Sequence, residues 1–215
     1  MFKQNCPLII LACNTASSEA LRRLQREYLP FTYPNNRILG VIIPAAEAAA
    51  GVTLNKPGQR IGIIATQGTI NSQAFPKEIL KISPKAKIFQ QACPLLVPIV
   101  EDGEHASVAT QQIIAKYLKP LLAKKIDTLI LGCTHYGLLT QQIRKIVGPT
   151  IKIITEGSIV SQKLTTYLQR HPEIASKLTQ NQNIKFYTTD LTDNFQKLSN
   201  YWFGQPIKAK KITLN

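Results

Sequence analysis

The feature that most constrains this 215-residue chain is a segment that occurs twice. PLIILACNT at positions 7–15 and DTLILGCTH at 127–135 are both apolar runs that end in a cysteine, followed at once by small hydroxyl or amide residues and a helical pattern. Apolar runs of this kind, between stretches of helical periodicity, read as buried strands of a parallel sheet wrapped by helices. Two copies of a strand-cysteine-helix unit predict two similar half-sites facing each other, with one thiol on each side of a substrate carbon.

Other runs repeat the alternation. Strands are expected at Pro7 to Ala12, Ile38 to Ile42, Arg60 to Ala65, Ala86 to Phe89, Thr128 to Gly132, Ile151 to Ile154 and Ile184 to Tyr187. Helices are expected at Ser17 to Tyr28, Ile70 to Ile82, Ala106 to Ala123, Tyr136 to Val147 before the Gly148-Pro149 stop, Ser158 to Arg170 and Leu191 to Tyr201. Short loop signals fall at Tyr33 to Asn36 and Asn55 to Gly58. The fold class is therefore α/β.

Composition excludes some roles. No apolar stretch approaches the ~18 residues of a membrane helix, and the first residues lack the apolar core of a secretory signal, so a cytoplasmic protein without a membrane partner is expected. Cys6, Cys13, Cys93 and Cys133 show no close pairing and read as free thiols. The net charge of +14 is spread along helical segments, with one dense cluster at Lys208 to Lys211 and no interleaved aromatics to stack bases. A solvated basic surface, and no specific nucleic-acid partner, is the reading.

Ligands of a parallel sheet collect at the carboxyl ends of its strands, where Cys13 and Cys133 both fall. A thiol before a helix N-terminus is expected to have a lowered pKa. Asn14, Thr15, Thr134 and His135 supply polar groups, and free N–H groups beside them suit a carboxylate. Moving a proton from one face of an amino-acid α-carbon to the other is most direct with two such groups, one as thiolate base and one as thiol acid. No lysine stands in a phosphate-binding context, so no cofactor is expected. Two other uses of these residues compete. Either cysteine alone reads as a small core hydrophobe, as Cys6 and Cys93 do. Zinc held by Cys133, His135 and Cys13 or Cys93 lacks the usual Cys-x-x-Cys spacing, so no metal is expected. Glu101 is uncommitted from spacing alone.

ACNTAS at 12–17 and GCTHY at 132–136 resemble the two cysteine motifs of the bacterial glutamate racemases, of the aspartate/glutamate racemase family, and IIATQGT at 63–69 and PLLVPIVE at 94–101 add supporting matches. The resemblance implies cofactor-independent interconversion of L- and D-glutamate, supplying D-glutamate for peptidoglycan. It implies Cys13 and Cys133 as acid/base thiols, with His135 and Glu101 assisting Cys133. Asn14, Thr15, Thr134 and His135 would line the substrate, with Thr66 and Thr69 on a further loop. It also implies two pseudo-symmetric parallel-sheet halves, here residues 1–40, 41–155 and a return over 156–215.

Family members begin with a strand leading to an Asp-Ser-Gly turn and then a Pro-Tyr-Gly segment, whereas this chain starts after both. The expectation is a first half incomplete at its N-terminus, with an uncovered sheet edge and apolar face that favour a homodimer. Gly137 stands where the family usually has proline, and Thr155-Glu156-Gly157 replaces a typical Ile-Asp-Ser-Gly run; both substitutions read as tolerable. The competing functional readings are an inactive or complementation-dependent racemase fragment, and a related aspartate or hydantoin racemase.

Overall fold

The computed structural model describes residues 1–51, 59–181 and 183–213, so the loop expected at Asn55 to Gly58 lies outside the described residues. The chain forms two compact units, Met1–Leu178 and Thr179–Asn215.

The first unit alternates strand and helix. Its order is β1 (Leu8–Leu11), α1 (Asn14–Arg23), a π-helical stretch over Leu24–Tyr28, α2 (Leu29–Thr32), β2 (Arg37–Gly40) and α3 (Ile42–Gly51). Then come β3 (Arg60–Ala65), α4 (Gln67–Ser72), α5 (Ala74–Ile82), β4 (Lys87–Ala92), α6 (Leu96–Glu101), α7 (Val108–Ala123) and β5 (Thr128–Gly132). A 3-10 turn over Thr134–Leu139 leads into α8 (Thr140–Val147), followed by β6 (Lys152–Ile154), α9 (Glu156–Arg170) and α10 (Pro172–Ala175). Four strands pair in parallel in the order β4-β3-β5-β6, and β1 pairs in parallel with β2. Parallel sheets wrapped by helices are what the apolar runs predict.

The four-stranded sheet divides the core. Ile61, Ile63, Ala65 and Ile130 face α3 and α5 residues such as Ala45, Ala49, Phe75 and Ile79, while Ile64, Leu129 and Leu131 face Leu96, Ile114, Leu118 and Ile143. Alternate residues of β3 and β5 thus go to opposite faces, both dry, so the runs read as continuous hydrophobicity. Each Ile or Leu fully buried here contributes about 1.5–3 kcal/mol. The face of β1 is less covered, with Ile10 36% exposed.

Several elements depart from the sequence reading. The strand expected over Ile38 to Ile42 stops at Gly40, and Ile42 opens α3. The Val41-Ile42-Ile43 run looks like strand, but Pro44 falls in the first helical turn, where its missing N–H is harmless. The small, fully buried Ala45, Ala46, Ala49 and Ala50 then let the helix lie close to its neighbours. β4 runs on through Gln90 and Gln91 to Ala92, because register with β3 holds to Ala65↔Ala92. The helix expected over Ile70 to Ile82 is broken at Gln73, which has φ 55°. The helix expected from Tyr136 begins at Thr140, after the 3-10 turn. α2, α3, α6, α10 and the last strand are additional to the expected elements.

Gly132, the last residue of β5, has no room for a side chain: a Cβ there would lie 2.8 Å from the Phe75 ring and 3.2 Å from the Ile64 carbonyl oxygen. Gly132→Ala is expected to destabilise by about 1–3 kcal/mol through overpacking, read as a lower denaturant midpoint at unchanged slope. An unchanged midpoint would mean that the strand end yields without strain.

The second unit contains β7 (Phe186–Thr188), α11 (Asp193–Phe203) and β8 (Ala209–Lys211), with β7 and β8 parallel. Thr192 caps α11 by accepting from the Phe195 N–H at 3.1 Å, and Phe186 packs edge-on against Phe203 with ring centroids 5.1 Å apart. The basic cluster Lys208 to Lys211 overlaps β8, where Lys211 lies 3.6 Å from Asp190.

Candidate active site

β1 and β5 each deliver a cysteine to the carboxyl end of a parallel strand. Cys13 occupies the position before α1, with extended backbone and an exposed side chain, and its carbonyl accepts from the Ser17 N–H at 2.8 Å. The Ser17 hydroxyl donates to the Leu11 carbonyl at 2.9 Å, tying α1 back to the strand that precedes it. Cys133 occupies the same position before the 3-10 turn, and is buried at 8% exposure.

Its environment corrects one expectation. Burial pushes the Cys133 thiol up to about 11 rather than down. The backbone N–H groups of His135 and Tyr136 pull the other way, while the charges of Glu156 and Cys13 add to the rise. A partial helix charge does not offset the loss of hydration around a buried sulfur. In the ligand-free protein Cys133 is a thiol at neutral pH.

The polar residues near the thiols form three groups. His135 Nδ1 lies 3.9 Å from the Cys133 sulfur, and its Nε2 lies 3.1 Å from Glu101 Oε1, so Glu101 at the end of α6 and His135 extend in line from the thiol. On the other side, the Thr15 hydroxyl lies 2.9 Å from that of Thr66 and 3.2 Å from that of Thr69, and the latter two are 3.1 Å apart. Thr66 caps α4, which sets the spacing of this cluster. The third group is Asn14, whose Nδ2 donates to Glu156 Oε2 at 2.9 Å in a buried contact across 142 residues.

Ala12, Cys133, Thr134, Gly137, Glu156 and Val160 are among the residues lining a cavity of about 270 Å³. The residues singled out from sequence come from three strand ends, those of β1, β3 and β5, and from the end of α6, and Cys133 and Thr134 among them line this cavity. Glu156 was not singled out. Acidic residues in a first helical turn are ordinary, so nothing local distinguishes it; its partner Asn14 is remote in sequence. Burial pushes the Glu156 carboxyl up to about 7, although the Asn14 amide opposes the rise.

The remaining cysteines are placed differently. Cys93 is fully buried, with its thiol pushed up to about 12 by burial, and its carbonyl accepts from the buried Tyr136 hydroxyl at 2.9 Å. Tyr136 therefore braces the turn after Cys133 against the end of β4. Cys6 is partly exposed, its sulfur 3.9 Å from the Gln4 carbonyl. Among the described residues no cluster of three His, Cys, Asp or Glu side chains is placed to hold a metal ion, and no helix is long and apolar enough to cross a membrane.

Residues 2–157 match the family of Asp/Glu/Hydantoin racemases. The chain is 36% identical over 199 residues to a glutamate racemase of Lactiplantibacillus plantarum, covering 93% of this chain and 70% of that protein. A glutamate racemase of Rippkaea orientalis is likewise 36% identical, over 100% of this chain and 72% of its own. Among solved structures, a glutamate racemase of Bacillus anthracis superposes with TM-score 0.86 at 35% identity, over 99% of this chain and 76% of that one. One from Francisella tularensis in complex with D-glutamate superposes with TM-score 0.84 at 27% identity, over 99% and 75%.

Proposed function

Because this chain belongs to the Asp/Glu/Hydantoin racemase family of isomerases, we propose that it interconverts L- and D-glutamate in the cytoplasm without a cofactor, supplying D-glutamate for peptidoglycan. One observation carries the reading: two cysteines at equivalent strand ends, each preceding a helical turn, with Cys133 and the neighbour of Cys13 opening onto one cavity. On this reading the two halves bearing β1 and β5 are related by pseudo-symmetry.

The thiols are inequivalent at rest. For the enantiomer whose α-proton faces Cys13, the exposed Cys13 is the base and Cys133, which holds its proton, is the acid that protonates the opposite face; for the other enantiomer the roles exchange. Each turnover leaves the two thiols with exchanged protons. Return to the starting state requires the exposed Cys13 to release its proton to solvent and Cys133 to regain one, and the His135–Glu101 pair is within reach to relay it from solvent. The hydroxyls of Thr15, Thr66 and Thr69 suit a substrate carboxylate beside the N-terminus of α4.

The test is direct. Purified protein is incubated with L-glutamate in deuterated water, and the α-proton resonance is followed alongside the formation of D-glutamate. The expected result is loss of the α-proton signal together with approach to a racemic mixture. A folded sample that exchanges no α-proton would overturn the assignment, and turnover of aspartate in place of glutamate would move the substrate within the family.

A further inference from the structure

The Asn14–Glu156 pair has an imbalance that its own contacts do not resolve. Asn14 Nδ2 donates to Glu156 Oε2, but Asn14 Oδ1 and Glu156 Oε1 are both buried without a hydrogen-bond partner among the described residues. Asn14 is 2% exposed and Glu156 7%. In a chain of net charge +14, no lysine, arginine or histidine forms an ion pair with Glu156 among the described residues. Two unpaired acceptors at one buried contact, one of them on a carboxyl group, call for a donor that carries positive charge and more than one N–H.

The location narrows what that donor is. Glu156 and Cys133 line the same cavity, and the sulfur is close enough to feel the carboxylate charge. When the α-carbon of an amino acid is held beside Cys133, its ammonium is one bond from the reacting atom. The substrate carboxylate, by contrast, suits the threonine hydroxyls. We infer that Glu156 is a substrate-binding residue that holds the α-ammonium of the amino acid, with Asn14 Oδ1 as the second acceptor. The inference rests on the racemase reading and adds what that reading leaves open: how the site demands a protonated amine rather than any small dicarboxylate.

Glutarate is the probe, because it keeps both carboxylates of glutamate and lacks the amine. Calorimetric titrations compare D-glutamate and glutarate binding to wild-type protein and to Glu156→Gln, which keeps an oxygen for the Asn14 amide. Glu156→Gln is expected to weaken D-glutamate at least about tenfold, the scale of one lost charge-assisted hydrogen bond, and to change glutarate by less than about threefold. Equal changes for both ligands, in a variant whose melting is cooperative, would overturn the inference and leave the racemase reading standing. Wild-type protein that binds neither ligand would overturn that reading, and this one with it. Glu156→Ser, which removes the carboxylate and is titrated in the same way, decides the matter if Glu156→Gln does not fold: selective weakening of D-glutamate relative to glutarate supports an ammonium contact, and unchanged discrimination contradicts it.

Discussion

Replacing either Cys13 or Cys133 by serine is expected to slow racemisation by about 10³-fold or more, within the usual range for removing a general acid or base. That corresponds to about 4 kcal/mol of transition-state stabilisation at 1.36 kcal/mol per tenfold change. Serine nearly preserves the shape of cysteine, so the structure around β5 and the 3-10 turn has no cavity to absorb. Its hydroxyl remains too weak an acid to become an anion under conditions where a thiol can.

The two variants should fail differently in deuterated water. Each enantiomer presents its α-proton to one thiol, so a single-cysteine variant retains a base for one enantiomer and lacks it for the other. Residual exchange without inversion, confined to one enantiomer and switching between Cys13→Ser and Cys133→Ser, is the expected pattern. Proton exchange and circular dichroism of the product, measured together, separate exchange from inversion. Wild-type rates in either variant would rule out a two-thiol mechanism. Equal residual exchange of both enantiomers would show that the thiols do not face opposite sides of the carbon.

The second large effect is on stability. Glu156 ionises in the folded protein at about 7, against an ordinary value of 4.5, because burial disfavours its charge. The folded state therefore binds this proton more tightly than the unfolded state, and stability contributed by the protonated group is present at low pH and lost as pH rises through about 7. The full shift corresponds to an upper bound of about 3 kcal/mol. Glu156→Gln cannot ionise and keeps the Asn14 contact. It is expected to match wild type most nearly at pH 5 and to exceed it at pH 8.5, by a melting shift on the order of 5 °C. Melting curves of both proteins across that range provide the check. A difference independent of pH would show that the carboxyl is not desolvated as the fold implies. Saturating D-glutamate should narrow the gap at pH 8.5, since the ligand ammonium would partner the buried carboxylate. A group that weakens the empty protein and binds substrate is a familiar exchange of stability for function.

Local chemistry made much of this site readable before any fold was known. Cys13 and Cys133 stood out because the segments around them match, and a match between two segments is a property of sequence alone. Asn14, Thr15, Thr134 and His135 followed as their immediate neighbours. Glu101, Thr66 and Thr69 were identified through a family resemblance; residue spacing gave no reason to bring Thr66 and Thr69 to Thr15, or Glu101 to His135. Those contacts span 51, 54 and 34 residues. Glu156 carries no such signal, because a glutamate opening a helix looks the same in sequence whether it meets water or a buried amide.

The same division runs through the fold. Apolar runs and their spacing determined that strands alternate with helices and that the sheets are parallel, because a strand buried on both faces must be hydrophobic at every position. Only the tertiary structure decided that Val41 to Ile43 leave the strand for a helix, that Cys133 is desolvated while Cys13 is exposed, and that Glu156 lies against Asn14. Periodicity is written along the chain, residue by residue. Ionisation depends on what surrounds a group in space, and burial of a thiol or a carboxyl is set by side chains brought from distant segments.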